Sequence, residues 1–161
     1  MLPMRCAFVS RFGATVLYSD EGATALETGG GVQRALPLLG PEPFWLVNGD
    51  IYCEFDFANH RSDTGVMGHL VLVPNPDHHP NGDFYLENNC VRNSGGAALT
   101  YSGIAMLHPG LFSESSPGKF PLAPLLISAA DRGEISGEVF EGRWLDVGTP
   151  ARLKALDRLL S

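Results

Sequence analysis

The sequence predicts an α/β fold built on a mostly parallel sheet. Continuous apolar runs at Phe44–Val47 (FWLV) and His69–Val73 (HLVLV) read as strands buried on both faces. Helical stretches follow at Val32–Leu39, Ala123–Arg132 and after Thr149. The two kinds of segment alternate along the chain, the signature of helices packed on a parallel sheet.

Ala14–Tyr18 (ATVLY) is a short strand, closed by Ser19-Asp20-Glu21-Gly22. Leu26–Gly31 (LETGGG) reads as a glycine-rich turn before the short helix Val32–Leu39, whose regular length Pro37 limits. Phe44–Val47 stops abruptly at Asn48-Gly49-Asp50. His69–Val73 leads into a loop, PNPDHHPNG, that holds three prolines. Asp83–Glu87 and Cys90–Arg92 form a hairpin across Asn88-Asn89, and Leu99–Leu107 is a third long strand. Ala123–Arg132 is helical, with proline early and Gly133 beyond its end. Glu138–Phe140 and Arg143–Val147 are short strands, and Thr149-Pro150 opens the terminal helix. No repeat or linker interrupts the series, so residues 1–161 are expected to form one domain.

Charge restricts the function. The net charge is −7 and no Lys/Arg cluster exists, which argues against a nucleic-acid surface. An acidic chain holds a phosphate ester through a metal ion, backbone N–H groups or a few placed cations. Cys6, Cys53 and Cys90 are far apart and odd in number, which fits free thiols in a reducing compartment. No apolar run approaches the ~20 residues of a membrane span, and the N-terminus lacks a signal-peptide core. A cytoplasmic location without membrane association is expected.

Ligands of open α/β sheets sit beyond the carboxyl ends of the strands. Asp50 stands at such an end, and so does Asp146, in the run Trp144–Thr149 (WLDVGT). Each alone has an ordinary explanation, Asp50 as a turn residue and Asp146 as a favourable charge near a helix start. As a pair over the sheet they can hold Mg²⁺, which takes a few carboxylates with phosphate oxygens and water. The glycines of LETGGG allow a ligand close to the backbone, but no dinucleotide or P-loop motif is present. His78 and His79 are adjacent on an extended loop, so their side chains diverge and rarely share one metal. Tyr101-Ser102-Gly103 is not a nucleophile elbow.

In order, these segments resemble the sugar-1-phosphate nucleotidyltransferase family, nearest its N-acetylmuramate-1-phosphate uridylyltransferase and mannose-1-phosphate guanylyltransferase-like branch. The resemblance rests on RFG (Arg11–Gly13), LETGGG with ALPLLG, LVNGD (Leu46–Asp50) and HLVLV…NPDHH…GDF (His69–Phe84). YSGI…LHP (Tyr101–Pro109), KFPLAPLL (Lys119–Leu126) and WLDVGT complete it, over roughly residues 11 to 161. It implies a three-layer, Rossmann-like (GT-A-like) fold with a mixed, mostly parallel sheet. It implies Asp50 and Asp146 as catalytic Mg²⁺ ligands, and Glu27, Thr28, Gly29, Asn48 and Gly49 along the nucleotide. Gly82, Tyr101 and Ser102 fall near the sugar. The implied substrates are a nucleoside triphosphate and a sugar 1-phosphate, with uridine and N-acetylmuramate ahead of guanosine and mannose, in cell-wall recycling.

One departure bears on activity. The family opens with a strand and a signature G-x-G-x-R-x-x-P-x-T-x-x-x-P-K-P, and nothing in residues 1–161 matches it; residues 1–10 match no family segment. A fragment, a wrong start site or a degenerate paralogue would each give this pattern. The first strands are then expected to be missing, and Ala14–Tyr18 would lie about 14 Å from Phe44–Val47 at ~4.8 Å per strand step. Ala14–Tyr18 is expected either to swing in against Phe44–Val47 or to stay poorly packed. A family-like monomer is expected, with association through the exposed sheet edge, and low or no activity for this chain alone. Two alternative readings are a non-catalytic remnant that binds a nucleotide sugar or a partner, and a metal-dependent phosphohydrolase using Asp50, Asp146 and the His78-His79 loop.

Overall fold

The computed structural model describes residues 5–9, 14–60 and 65–161, with residues 5–9 and 14 described by backbone alone. The RFG segment (Arg11–Gly13) and the side chain of Cys6 lie outside the described residues.

The strands are β1 (Arg5–Val9), β2 (Ala14–Tyr18), β3 (Phe44–Val47), β4 (Ile51–Cys53), β5 (Gly68–Val73), β6 (Phe84–Glu87), β7 (Cys90–Arg92), β8 (Ala98–Leu107), β9 (Ile135–Val139) and β10 (Trp144–Asp146). The helices are α1 (Glu27–Leu39), α2 (Ala123–Asp131) and α3 (Pro150–Leu160), and a 3₁₀ turn spans Pro109–Phe112. Among the described residues no helix is long and apolar enough to cross a membrane.

A six-stranded sheet in the order β3-β8-β5-β9-β7-β6 forms the centre. It is mixed, as expected, but most neighbouring pairs are antiparallel. β3, β5, β6 and β9 run one way, while β7 and β8 run the other, so β5–β9 is the parallel pair. The long β8 inserts between β3 and β5, which would otherwise lie parallel to each other. An apolar run shows that a strand is buried but not which way its neighbour points.

β5 is buried along its whole length, and Leu70, Val71 and Leu72 on it are fully enclosed, as is Ile135 on β9. Leu70, Leu72, Ala105, Leu107 and Ile135 share one face with Leu122, Leu126, Ala129 and Ala130 from α2 and its approach. This is the main apolar core. Period-two alternation turns His69 and Val71 to the other face.

β3 differs from the expectation of a strand buried on both faces. It pairs with β8 on one side and ends the sheet, leaving Val47 43% exposed. β2 does not join it. It pairs antiparallel with β1 in a separate ribbon, and Leu17 and Tyr18 are exposed. A partner a few residues away closes a short loop, which costs less entropy than crossing to β3.

α1 starts five residues before the expected Val32, and it runs through Pro37. The glycines of LETGGG therefore lie inside the helix. Glycine is a poor helix former, by about 1 kcal/mol against alanine, but tertiary contact decides here. Phe120 N–H donates to Leu26 O and Gly30 N–H to Phe120 O, both at 3.1 Å. A Cβ on Gly29 would meet the Phe120 ring at 2.5 Å, and one on Gly30 would overlap the Gly118 carbonyl oxygen. Packing against residues 118–120 is what requires these two glycines. Gly30→Ala should therefore lower stability by about 1–3 kcal/mol in urea unfolding. Gly96→Ala, whose Cβ meets open space, should change it by no more than about 0.5 kcal/mol.

Candidate active site

Two acidic residues far apart in sequence meet beside the sheet. β4 and β10 pair antiparallel in a short ribbon with Ile51 opposite Asp146, and Val147 N–H donates to Asp50 O at 2.8 Å. Asp50 thus enters from the end of β3 and Asp146 from the end of β10. A Cβ placed on Gly148 would lie 3.0 Å from Asp50 Oδ2 and 3.1 Å from Asp146 Oδ1. The two oxygens are therefore separated by no more than the sum of those distances.

Their surroundings differ. Asp146 Oδ1 accepts from Gly148 N–H at 2.8 Å, while its Oδ2 faces Arg152 Nη1 at 3.2 Å and His78 Nε2 at 3.3 Å. Among the described residues the Asp50 carboxylate has no hydrogen bond or ion pair. An unpaired carboxylate beside a second one is repelled by it, and a cation between them removes that cost.

The bulge at Ser102-Gly103 shapes the wall beside the pair. The β5–β8 register jumps from Val71↔Ile104 to Leu72↔Tyr101. Ser102 fills the break: its Oγ–H donates to Val71 O at 2.7 Å and its Oγ accepts from Ile104 N–H at 3.2 Å. Bulges of this kind re-aim side chains next to sites. Gly103 has φ +82, and Asn48 side-chain atoms crowd the place of its missing Cβ from 2.8 Å. Asn48 N–H donates to Gly103 O at 2.9 Å, and Trp144 Nε1–H donates to Ser102 O at 2.9 Å. These two bonds dock the ends of β3 and β10 on the bulge.

Asn75 ties the loop after β5 to β8. Its Nδ2 donates to Pro80 O and Ala98 O, both at 3.0 Å, and its Oδ1 accepts from Thr100 Oγ1 at 2.9 Å. The clamp fixes the loop that carries both histidines. They diverge as expected: His78 reaches Asp146, and His79 Nε2 lies 3.0 Å from Asp83 Oδ1. Asp83 Oδ2 also accepts from Tyr101 N–H at 2.8 Å.

Two cavities abut here and share Asn48 and Tyr101. One, of about 270 Å³, contains Asp50, Asp146, His78 and His79. The other, of about 520 Å³, runs toward Glu27, Thr28, Asp83 and the start of α2. The structure thus brings Asp50, Asp146, Asn48, Tyr101, Glu27 and Thr28 to one continuous depression. Glu27 enters it with φ +60, a costly conformation for a non-glycine residue, and its carboxylate lies 3.4 Å from Lys119 Nζ.

Four other expected site residues sit differently, and of these Gly29, Gly49 and Gly82 line neither cavity. Gly29 is buried against Phe120 and lines neither cavity. Ser102 lies at the metal-side wall, but its hydroxyl is committed to the bulge. Gly82 lines neither cavity and is pressed against Asn75 Oδ1 and the Leu99 backbone. Gly49 occupies the turn between Asn48 and Asp50, with open space around it. Sequence reasoning does not single out Asp83, Trp144 or Arg152. The first two lie inside recognised runs, GDF and WLDVGT, but nothing local marks Arg152.

No protein-family profile matches the chain. The N-acetylmuramate alpha-1-phosphate uridylyltransferase of Neisseria meningitidis serogroup B is 41% identical over 159 residues, which cover 93% of this chain and 69% of the relative. The chain belongs to the family of the N-acetylmuramate alpha-1-phosphate uridylyltransferases. A second relative with that name, from Caulobacter vibrioides, is 33% identical over 89% of this chain and 66% of its own length. The solved structure of HddC from Yersinia pseudotuberculosis, complexed with GMP-PN, superposes with a TM-score of 0.65 at 21% identity. It covers 85% of this chain and 64% of its own, and at that identity it speaks for the fold. The chain thus spans about two thirds of the length of the family members and neighbours it matches.

Tyr101 provides a test of how deeply its own side chain is buried beside the site. Its hydroxyl is buried with no hydrogen-bond partner among the described residues, and burial pushes its pKa well above the usual 10. The folded chain holds that proton to higher pH than the unfolded chain, so stability is intact below about pH 10 and falls as pH rises beyond it. In an alkaline absorbance titration, one of the four tyrosines should ionise last, and Tyr101→Phe should remove that lagging step.

Proposed function

We propose that the depression transfers a nucleotidyl group from a nucleoside triphosphate to a sugar 1-phosphate, with uridine triphosphate and N-acetylmuramate 1-phosphate as the substrates. The observation that carries the reading is the convergence of Asp50 and Asp146 beside a cavity wide enough for a nucleotide. The substrate choice rests on the names of the two relatives.

The donor set fits a hard divalent cation. One oxygen of each carboxylate approaches Gly148, the Asp50 carboxylate has no partner among the described residues, and an open cavity leaves room for phosphate oxygens and water. Asp50 and Asp146 would hold Mg²⁺, which when bound neutralises charge on the reacting phosphates. A tetrahedral thiol or imidazole set would instead favour a softer metal.

The reaction needs little further chemistry from the chain. An anionic phosphate oxygen of the sugar 1-phosphate attacks the α-phosphorus. A new P–O bond forms, the bond to the bridging oxygen breaks, and pyrophosphate leaves with the electron pair. The attacking oxygen carries no proton near neutral pH, so no general base is required, and catalysis is chiefly alignment and charge neutralisation. Asn48 and Tyr101 stand where the two cavities join, between the acidic pair and the Glu27-Thr28 end. Tyr101 lines both cavities, while its hydroxyl is buried without a protein partner among the described residues. Arg152 and His78 steady Asp146, and the Arg152 guanidinium adds positive charge beside it. His79 is engaged by Asp83 rather than by the acidic pair, which disfavours a two-histidine hydrolase centre.

The test is pyrophosphate release from uridine triphosphate, N-acetylmuramate 1-phosphate and Mg²⁺. Asp50→Asn and Asp146→Asn should each lower the rate by at least about 10²-fold, the scale of losing one charge-stabilising group. Release of inorganic phosphate from either substrate alone would instead point to a hydrolase.

A further inference from the structure

A second polar cluster lies on the sheet face opposite the apolar core, outside the Asp50–Asp146 depression. His69 on β5 and Glu138 on β9 share that face, because His69 pairs with Ser136 and Glu138 follows two residues later on the parallel strand. The segment after β4 supplies His60. His60 Nδ1 lies 3.0 Å and His69 Nε2 3.3 Å from the same oxygen, Glu138 Oε1. One ligand atom from each of the three side chains falls within 4.8 Å of the other two.

The segment that carries His60 is built to deliver it. Phe55 and Phe57 pack edge-on against Trp45, with ring centroids 5.7 and 5.2 Å away, and the His60 ring stands 5.1 Å from the same indole. His60 and His69 rings are 4.5 Å apart. Ser136 Oγ, 2.8 Å from His69 Nδ1, orients that ring and leaves Nε2 toward Glu138. His60 turns Nδ1 to Glu138, and its other ring nitrogen, Nε2, is buried without a hydrogen-bond partner among the described residues. Glu138 is 40% exposed, so an ion and a water ligand have a way in.

We propose that His60, His69 and Glu138 bind a divalent transition-metal ion of the zinc class. Two imidazole nitrogens and a carboxylate oxygen suit zinc and its borderline neighbours, whereas Mg²⁺ prefers an all-oxygen set. The aromatic rings wall the site and lower the local dielectric, which strengthens the ion–ligand attraction. The ion ties the segment after β4 to β5 and β9. It therefore acts as a staple between that segment and the sheet, and Ser136 is a positioning residue for it.

The test uses the whole chain carrying Asp146→Asn, so that the acidic pair does not count as a second site. After chelation and dialysis, the protein is titrated with Zn²⁺ by calorimetry and with Co²⁺ by visible absorption. The expected result is one equivalent of Zn²⁺, a four-coordinate Co²⁺ spectrum and a Zn²⁺-dependent rise in melting temperature. His60→Ala and Glu138→Gln should each weaken Zn²⁺ binding by more than about 100-fold, and Ser136→Ala by about 10–100-fold. Absence of Zn²⁺ binding, or binding unchanged in both His60→Ala and Glu138→Gln, would overturn the proposal. Glu138→Gln keeps the side chain's size on a partly exposed position, so a folded variant is available even if His60→Ala unfolds.

Discussion

The hydrogen bond from Val147 N–H to the Asp50 carbonyl, at 2.8 Å, closes the β4–β10 ribbon, and the candidate site depends on that closure. Asp50 follows the edge strand of the sheet and Asp146 precedes the last helix, so no local interaction could bring them together. The ribbon does so by placing Ile51 opposite Asp146. Like charges at this range repel, and Arg152 and His78 relieve Asp146 while Asp50 remains unpaired among the described residues.

The ribbon would drift without anchors, and the β8 bulge supplies them. Ser102 commits its hydroxyl to Val71 O and Ile104 N–H, which keeps a break in the ladder from leaving buried polar groups unpaired. The bulge then presents the Gly103 and Ser102 carbonyls to Asn48 and Trp144. Burial of β5 and β8 in the core makes this platform rigid, and a rigid platform suits a reaction that relies on alignment. The loop that Asn75 clamps can then be long without being loose.

Much of this is legible in the residues. HLVLV reads as a buried strand because every position is apolar or able to pair, and Asn88-Asn89 reads as a hairpin turn because asparagine tolerates the positive φ seen there. Thr149-Pro150 reads as a helix start, and the Thr149 hydroxyl does accept from Arg152 N–H at 3.3 Å. Asp50 and Asp146 stand out because each ends a strand. What stays hidden depends on distant partners. FWLV resembles a central strand whether or not a second neighbour exists. The LETGGG glycines resemble a loop until residues 118–120 are seen against them. His60, His69 and Glu138 come from three separate segments, and no spacing rule links them.

The proposed chemistry requires one divalent cation held jointly by Asp50 and Asp146. A crystal grown with Mn²⁺ and uridine triphosphate, measured at the manganese anomalous edge, tests this most directly. The predicted result is a peak about 2.0–2.3 Å from a carboxylate oxygen of each residue, in contact with the nucleotide's phosphates. A nucleotide-bound ion that touches neither carboxylate, or only one of them, would contradict it.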